Sequence, residues 1–320
     1  MDSKPNATDV AVQPPIQLSP SEQAERARAE RPSTGVRLAE VARRVSRGIP
    51  GLRQLFQTER GRAFRHWIAL RIDDRVHYTF TQFLRSPTQY DALLGPVLDA
   101  LVGPRREGKL RIVVIGCSIG AEPYTISSVL LRHCPDLEVT IDGYDIDPAV
   151  LERGRAASYT EREILANRRI TPEFLSDTFE RQGDRFVIRP AVARRVRFHP
   201  IDALDPGMAD RVGPADIVYA QNILMNLSRR LARRAFGNIL GVLRPRSALF
   251  IDGMDLDLRT RYTKSAGLTP LDYQVREIHE EALGIRGDRY PYHYSGLPPF
   301  DHGPDATRRF ATIFLRGIDR

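Results

Sequence analysis

The segment "RIVVIGCSIGAEPYTI", Arg111 to Ile126, most constrains the fold of this chain. A run of apolar residues ends at Gly116, a short turn leads to Gly120, and a helix-like stretch begins with Glu122 and Pro123. A buried strand that ends in a glycine turn and leads directly into a helix is typical of the first unit of an open parallel sheet, where the glycines let backbone approach a ligand. The segment therefore predicts an α/β domain with a ligand site at this turn.

The rest of the chain alternates between strand and helix patterns, as such a sheet requires. Predicted strands cover "LEVTIDGYD", "RVRFHPID", "ADIVYAQN" and "ALFIDGM", and predicted helices cover residues 123–133, "PAVLERGRAA" and "SRRLARRAFGNILGVLRP". Two late segments, "DYQVREIH" and "RRFATIFLRG", are predicted to form a terminal strand hairpin. The pattern predicts one doubly wound, mostly parallel sheet over residues 107–320.

The first third of the chain has a different composition. Residues 1–34 are rich in Pro, Ser, Gln and Ala and have little to bury, which predicts a disordered tail. Residues 35–106 show helical apolar spacing broken by "GIPG" and "PRREG", which predicts a small helical lobe and a connector. The sequence has no secretory signal pattern, and none of its apolar runs approaches the roughly 18 residues of a membrane span. We therefore expect a cytoplasmic protein without a membrane span.

The charge and the cysteine content limit which classes of partner and bound metal are expected. The net charge is +8, and the stretch from Ser21 to Arg75 contains 13 Arg against 7 acidic residues. This excess indicates either a solvated helical face or a surface for an acidic partner. The two cysteines, Cys117 and Cys134, are too few for a disulfide framework and lack the paired spacing of a zinc site, so we expect buried thiols and no metal.

The glycine turn predicts a particular class of ligand. Its G-x-x-x-G spacing differs from the dinucleotide fingerprint, and the chain contains no phosphate-binding loop. Glu122 at the helix start would repel a pyrophosphate but suits a cation, and Asp145 ends the next strand where an acid can accept hydrogen bonds from ribose hydroxyls. Together they describe a nucleoside with a cationic, amino-acid-like tail, such as S-adenosylmethionine. A purely structural role for these residues is the alternative.

Four segments resemble the CheR-type methyltransferases, which esterify glutamates on chemotaxis receptors. "GCSIGAEPY" resembles the family's loop G-C-S-T-G-E-E-P-Y, and "YDIDPAVLERGRAASY" resembles its D-I-D followed by a helix and G-x-Y, with Ala157 in place of the glycine. "TFTQFLRSP" resembles N-x-T-x-F-F-R, and "ADIVYAQNILMNL" resembles C-R-N-x-x-I-Y-F. The resemblance runs in order from Thr79 to about Met254.

The resemblance implies a fold, a cofactor and a set of site residues. The fold is a Rossmann-like class I methyltransferase sheet with a helical N-terminal lobe and a small antiparallel β subdomain inserted near residues 171–197. The cofactor is S-adenosylmethionine. The residues that the resemblance places around it are Thr81, Arg85, Glu122, Asp145, Asp202 and Asn222, and we add their neighbours Gly116, Ser118, Gly120, Ala203 and Gln221.

Physical roles follow for four of these residues. Asp145 is expected to hold the ribose, and Glu122 to face the ammonium or sulfonium end. Asp202 is expected to accept from the adenine amino group, and Arg85 to steer an anionic acceptor.

Methyl transfer from a sulfonium needs little from the protein beyond alignment of donor and acceptor, roughly 3 Å apart, and exclusion of water. A carboxylate acceptor has a reference pKa of about 4 and needs no general base. A phenol, alcohol or amine acceptor would need one, and Tyr292 and His293 are the candidates. They lie in "DRYPYHYSGLPPF", within a predicted lid at 280–306. We expect His199 to be structural, and His279 lacks the second histidine of H-E-x-x-H.

The chain departs from the family pattern on the acceptor side. Gln221 replaces an Arg, Asn226 a Tyr, Thr79 an Asn and Ala121 a Glu. Three functions therefore remain open: methylation of a carboxylate on an acidic protein or a free acid, methylation of a small molecule at O, N or S, and non-catalytic cofactor binding. No nucleic-acid substrate is expected, because "QNILMN" stands where many base methyltransferases carry D/N-P-P-Y.

Overall fold

The computed structural model describes residues 81–165, 167–286, 300 and 303–318. In chain order, its helices and strands are α1 (Pro87–Ala92), a π-helical turn (Leu93–Val97), α2 (Leu98–Val102), β1 (Lys109–Ile115), α3 (Ala121–His133), β2 (Glu138–Asp145), α4 (Pro148–Ala156), β3 (Ser158–Thr160), α5 (Glu161–Ile164), α6 (Pro172–Thr178), β4 (Phe179–Gln182), β5 (Arg185–Ile188), α7 (Pro190–Ala193), β6 (Val196–Pro200), α8 (Met208–Val212), β7 (Ala215–Gln221), a 3-10 turn (Leu224–Asn226), α9 (Arg229–Val242), β8 (Leu243–Asp252), α10 (Leu256–Ser265), β9 (Thr269–Pro270), α11 (Val275–Arg286), α12 (Ala306–Phe310) and β10 (Ile313–Arg316).

Seven strands form the central sheet in the order β6-β2-β1-β7-β8-β10-β9. The first five are parallel to one another, and β10 runs antiparallel to both β8 and β9. The carboxyl ends of β1, β2, β6, β7 and β8 therefore meet at one edge. This topology confirms the predicted doubly wound, mostly parallel sheet, whose ligand site belongs at that edge.

Each face of the sheet has its own apolar core. Ile112 and Val114 of β1 face the α3 side, whereas Val113 and Ile115 face the α9 side. Because successive residues of a strand point to opposite faces, a strand that is buried on both sides needs the continuous apolar run seen in "RIVVIG". That run is why the first strand was evident from the sequence.

The late hairpin was predicted partly wrongly. "DYQVREIH" contributes most of its length to a helix, α11, rather than to a strand. Val275, Ile278 and Ala282 are buried at helical spacing, and this periodicity outweighs the β-branched content of the segment. The strand that pairs with β10 on its side away from β8 is instead the two-residue β9. "RRFATIFLRG" begins in helix α12, and only Ile313–Arg316 is strand.

A second, antiparallel sheet of three short strands is inserted after α4, in the order β3-β5-β4. Two of its strands, β4 and β5, lie within the predicted 171–197 segment, whereas β3 comes from residues before it. Tyr159 of β3 is buried, and its hydroxyl donates to the carbonyl oxygen of Ile119 at 2.6 Å. This small sheet is thus tied to the glycine turn of the main sheet.

Several predictions fall outside the described residues. These are the tail at 1–34, most of the lobe at 35–106, and residues 287–299 and 301–302 of the predicted lid. Within the described ranges, no helix combines the length and apolarity that a membrane crossing requires. Cys117 and Cys134 are buried free thiols, as expected.

Candidate active site

The glycine turn closes tightly onto the carboxyl edge of the sheet. Gly116 (φ 76°) and Gly120 (φ 88°) both have left-handed backbone, which glycine adopts without strain. A Cβ at Gly116 would lie 2.0 Å from Cγ2 of Ile223, and one at Gly120 would lie 2.7 Å from the ring of Phe198. The glycines are therefore required by the chain's own packing as well as by backbone conformation.

Asp145 and the glycine turn form one hydrogen-bonded unit. The backbone amide of Ser118 donates to Oδ2 of Asp145 at 2.8 Å, and the amide of Asp147 donates to Oδ1 at 3.1 Å. The amides of Gly116 and Cys117 both donate to the carbonyl oxygen of Tyr144, at 2.7 and 3.0 Å. A carboxylate has about four acceptor sites, so Asp145 retains capacity for further donors.

A buried hydroxyl lies in the same turn. Ser118 is only 7% exposed, and among the described residues its Oγ has no hydrogen-bond partner. Buried polar groups without a partner are uncommon, and such a hydroxyl at a turn suits a hydrogen bond to a ligand.

The end of β6 lies beside Asp145. The amide of Ile201 donates to the carbonyl oxygen of Asp145 at 2.9 Å, which brings the following turn to the same edge. Within this turn, Oδ1 of Asp202 accepts from the amide of Leu204 at 2.8 Å. Asn238 of α9 fixes the turn by donating to the carbonyl oxygens of Ala203 and Asp205, each at 2.9 Å.

Glu122 is half-buried in the first turn of α3. Burial raises the pKa of its carboxyl group to about 7, and the Arg85 guanidinium opposes that rise. Burial also raises the pKa values of the Tyr90 and Tyr219 hydroxyls, with the charge of Glu122 contributing to both. Because a carboxylate is costly to bury without a partner, this site favours a cation beside Glu122.

The turn segment that carries Thr81 and Arg85 is anchored by two polar side chains, one in α3 and one in the loop after α5. Asn167 is 5% exposed, and its Nδ2 donates to the carbonyl oxygens of Phe83 (2.9 Å) and Leu84 (2.7 Å). The amide of Leu84 donates to Oγ1 of Thr125 in α3 at 3.2 Å. These contacts bring Arg85 to the helix end that contains Glu122. Asn167 was not predicted from the sequence, since no motif marks it.

Replacing Asn167 with alanine is expected to lower the free energy of unfolding by about 2 kcal/mol, because two buried carbonyl oxygens lose their donor. Cofactor affinity should fall as well, because the Arg85 segment loosens. Urea unfolding and calorimetry measure the two effects. Thr171→Ala is the control: it removes the cap of α6, which costs about 1 kcal/mol without contacting the Arg85 segment. Unchanged stability of Asn167→Ala would contradict this role.

The ends of β7 and β8 pack directly against each other. Asn222 has left-handed backbone (φ 61°), and its amide donates to the carbonyl oxygen of Asp252 at 2.9 Å. A Cβ at Gly253 would lie 2.5 Å from the Cα of Asn222. The predicted site residue Asn222 is thus held at the sheet edge by its backbone.

Gln221 lies in a buried chain of side-chain amides. Its Nε2 donates to Oε1 of Gln89 at 2.7 Å, and Nε2 of Gln89 donates to Oγ1 of Thr312 at 2.8 Å. Gln221 therefore links β7 to α1 and to the start of β10.

Asn226 presents a hydrogen-bond acceptor near the same edge. Its Nδ2 donates to the carbonyl oxygen of Asn222 at 3.2 Å, which fixes the orientation of the side-chain amide. Its Oδ1 is buried and has no partner among the described residues. Any group that meets this oxygen must carry a donor.

Ile146 is exposed for an apolar residue. At 39% it is one of two exposed large apolar side chains in the described part of the chain, the other being Leu165. It follows Asp145 directly, in the "DID" segment that was singled out only for its acids. The exposure of an apolar side chain beside the carboxylate suits a flat apolar ligand surface.

The histidines take different positions. Nε2 of His199 lies 3.3 Å from Oδ1 of Asp142, and its ring stacks on Tyr144, as expected for a structural histidine. His279 is buried against Phe310. Tyr292 and His293, the predicted acceptor-side residues, lie outside the described residues. Within the described residues, no group of three His, Cys, Asp or Glu side chains is arranged to hold a metal ion.

These residues fit S-adenosylmethionine. The fit rests on an acid with spare acceptor capacity at Asp145, a buried hydroxyl without a partner at Ser118, an exposed apolar side chain at Ile146, and a buried carboxyl group at Glu122. A nucleoside with a flat aromatic base, a diol and a cationic tail matches this set of groups.

The comparisons with known proteins agree with this fit. The family model described as "CheR methyltransferase, SAM binding domain" matches residues 79–264. The chain is 26% identical over 207 residues to the probable biofilm formation methyltransferase WspC of Pseudomonas aeruginosa, covering 64% of this chain and 48% of that protein. It is 28% identical over 214 residues to chemotaxis protein methyltransferase 1 of the same organism, covering 64% and 75%. The chain thus spans about half the length of the first relative.

Among solved structures, the chain is similar to magnesium protoporphyrin IX methyltransferase from Synechocystis PCC 6803 with bound S-adenosylmethionine. The TM-score is 0.33 at 15% identity, covering 68% of this chain and 85% of that one, a likeness too weak to add to the topology described above. The family match covers more than half of the chain, including every described strand from β1 to β8. The chain belongs to the CheR methyltransferase family, and residues 79–264 are its S-adenosylmethionine-binding domain.

Proposed function

We propose that this protein uses S-adenosylmethionine to methylate a carboxylate, either a glutamate of an acidic polypeptide or a free acid. The single observation that carries the proposal is the unit formed by the glycine turn and Asp145, with Glu122 at the start of the following helix. It supplies acceptors for a diol at one end and negative charge for a cationic tail at the other. The family match and the two methyltransferase relatives support the same reading.

In this proposal, the residues at the carboxyl edge divide the ligand between them. Asp145 accepts from the ribose hydroxyls, and Glu122 neutralises the ammonium or sulfonium charge. Ile146 covers one face of the adenine, and the Asp202–Ala203 turn meets its amino group. The carboxyl end of parallel strands is the usual place for such a ligand.

The bound cofactor supplies a methyl group on a positively charged sulfur, and the chain must bring the acceptor into line with it. Arg85 lies close enough to Glu122 to oppose the rise in its pKa. A guanidinium in that position attracts a carboxylate acceptor and orients it. Because a carboxylate is ionised at neutral pH, no side chain has to remove a proton.

A second candidate is methylation of a small molecule at O, N or S. The observation that favours it is the neutral acceptor side: Gln221 is engaged with Gln89, and Asn226 presents a buried oxygen that needs a donor. A carboxylate supplies no donor, whereas an alcohol, amide or amine does. A third candidate is a non-catalytic cofactor-binding module. It rests on the same two residues, Gln221 and Asn226, which replace an Arg and a Tyr of the family pattern.

Two measurements separate these functions. Calorimetry with S-adenosylmethionine and S-adenosylhomocysteine is expected to give binding of both. Methyl transfer is then measured on a panel of acidic polypeptides, free acids, amines and thiols, with base-labile release of methanol as the signature of an ester. Methanol release supports the carboxylate, and base-stable products support the second candidate. Binding without transfer to any member would support the third, and the absence of binding would refute all three.

Replacing Arg85 with alanine is expected to leave cofactor binding measurable but to lower turnover at least tenfold. That factor corresponds to the transition-state free energy lost with about one charged hydrogen bond. The same change should raise the pKa of Glu122 further, because the opposing guanidinium is gone. The pH midpoint of cofactor binding would then move upward. Arg85→Lys keeps the positive charge, so the pH midpoint of cofactor binding should stay unchanged. It loses the paired hydrogen bonds that a guanidinium can make to a carboxylate. An unchanged midpoint in Arg85→Ala would contradict the proximity of the two groups.

A further inference from the structure

Helix α9 has an unusual distribution of charge. Four of its first six residues are arginines, Arg229, Arg230, Arg233 and Arg234, and its 14 residues include no Asp or Glu. All four arginines are exposed. Because residues four apart lie next to each other on a helix, they form one continuous surface, which we call the arginine strip.

The strip does not stabilise the helix. The amino end of a helix carries a partial positive charge, so cations there are unfavourable, and like charges four residues apart repel. Ser228, at the N-cap position, makes no side-chain capping hydrogen bond. Helix stability instead comes from the opposite face, where Ala232, Ala235, Phe236, Ile239 and Val242 are buried.

The described residues neutralise the strip only in part. Arg229 pairs with Asp255 at 2.7 Å, and Asp255 also caps α10. Among the described residues, no carboxylate pairs with Arg233 or Arg234. At least two guanidinium groups of the strip are thus available to an outside partner.

The strip begins at the carboxyl edge of the sheet, where the proposed cofactor site lies. Helix α9 follows β7 through Asn222 and the 3-10 turn Leu224–Asn226, so its first turn begins at the carboxyl edge of the sheet. At 1.5 Å per residue, Arg234 lies about 8 Å along the helix from its start. A chain that offers a side chain at this edge would pass along the strip.

We propose that the arginine strip is a docking surface for an acidic polypeptide segment that carries the methylated residue. The proposal rests on the proposed function, and it names the polypeptide rather than the free acid as the substrate class. Guanidinium groups at positions i and i+4 match carboxylates at the same spacing on a partner helix, with two hydrogen bonds per pair.

Two other classes of anionic partner fit less well. Interfacial binding to a membrane requires apolar side chains beside the cations, and the exposed large apolar residues of the described chain, Ile146 and Leu165, are not on α9. Binding of single-stranded nucleic acid uses aromatic stacking platforms, and the one aromatic residue of α9, Phe236, is buried.

The test is a charge-reversal double variant, Arg233→Glu with Arg234→Glu. Binding of a fluorescent helical peptide with glutamates at i and i+4 is followed by anisotropy at low and moderate salt. The variant is expected to bind at least tenfold more weakly than the wild type, with a shallower salt dependence. Its affinity for S-adenosylhomocysteine, measured by calorimetry, should be unchanged. The control is Arg105→Glu with Arg194→Glu. Both arginines are exposed, and they precede β1 and β6, at the amino ends of these strands and so away from the carboxyl edge.

The outcomes separate the strip from the proposed function. Equal losses in the test and control variants would overturn the proposal, because net charge alone would then explain binding. The proposal would also be overturned if the Arg233→Glu, Arg234→Glu variant lost binding to single-stranded RNA or to phosphatidylserine vesicles but still bound the peptide as the wild type does. If the wild type binds the peptide through the strip but methylates no carboxylate, the docking surface stands and the proposed function fails. If it methylates free acids and binds no peptide, the reverse holds.

Discussion

Replacing Asp145 with alanine is expected to abolish measurable binding of S-adenosylmethionine. Each charge-assisted hydrogen bond to a ribose hydroxyl contributes about 1.5–3 kcal/mol, so the loss of two would weaken binding by roughly a hundredfold or more. The change also removes the acceptor of the Ser118 and Asp147 amides, which loosens the glycine turn, although the amides of Gly116 and Cys117 still tie it to Tyr144 of β2. Isothermal titration calorimetry measures the affinity directly.

Asp147→Ala is the matched control for this prediction. Asp147 is a carboxylate two residues further on, and its Oδ1 accepts from the amide of Ala149 at the start of α4. Its removal is expected to cost about 1 kcal/mol of stability as a lost helix cap and to leave cofactor affinity unchanged. If Asp145→Ala binds as tightly as the wild type, the assignment of the ribose to Asp145 is wrong.

Glu122 is expected to make cofactor binding depend on pH near neutrality. Its carboxyl group has a pKa of about 7, so it is largely neutral at pH 6 and largely ionised at pH 8. Because the ionised form attracts a cationic tail, affinity should rise by about tenfold between these two values. Glu122→Gln should bind more weakly and show a flatter pH profile. An unchanged profile in the variant would refute this role.

The same carboxyl group should destabilise the ligand-free protein at high pH. A pKa raised from 4.5 to about 7 means that the folded state holds the proton more tightly than the unfolded chain. Its contribution to stability is therefore present below about pH 4.5 and is lost as the pH rises through about 7. The shift corresponds to about 3 kcal/mol. At pH 8, Glu122→Gln should have the higher free energy of unfolding in urea, despite its weaker binding.

Glu163→Gln gives a control of opposite sign. Hydrogen bonds from Thr160 and the charge of Arg153 lower the pKa of Glu163 despite its partial burial. Its contribution is present above the usual carboxyl pKa and is lost as the pH falls, so the glutamine variant should be less stable at pH 8. If both variants shift stability in the same direction, the pKa of Glu122 is not raised.

The parts of the site that are continuous in sequence could be predicted. The glycine turn, Glu122 and Asp145 each lie at the end of a long apolar strand or the start of a helix, and their positions follow from that local context. In a doubly wound sheet the carboxyl ends of the parallel strands lie side by side. The proximity of these residues could therefore be predicted without knowing any distant contact.

The parts that depend on distant contacts could not be predicted. Asn167 anchors a segment more than 80 residues earlier, and Gln221 contacts Gln89, which is 132 residues away in the sequence. No spacing rule connects such pairs, because their geometry is set by packing of the whole domain. The error at "DYQVREIH" has another cause: its β-branched residues suggest a strand, whereas burial at every third or fourth position decides for a helix.

The two amide hydrogen bonds to Asp145 have a consequence for how the proposed cofactor would bind. The chain's own backbone holds the carboxylate, so the entropy of ordering it is lost during folding and not at association. Such preorganisation favours a lock-and-key encounter for the nucleoside half, with little backbone movement between free and bound protein. Discrimination between cofactor and product must then arise at the other half, where a single methyl group and its charge distinguish the two molecules.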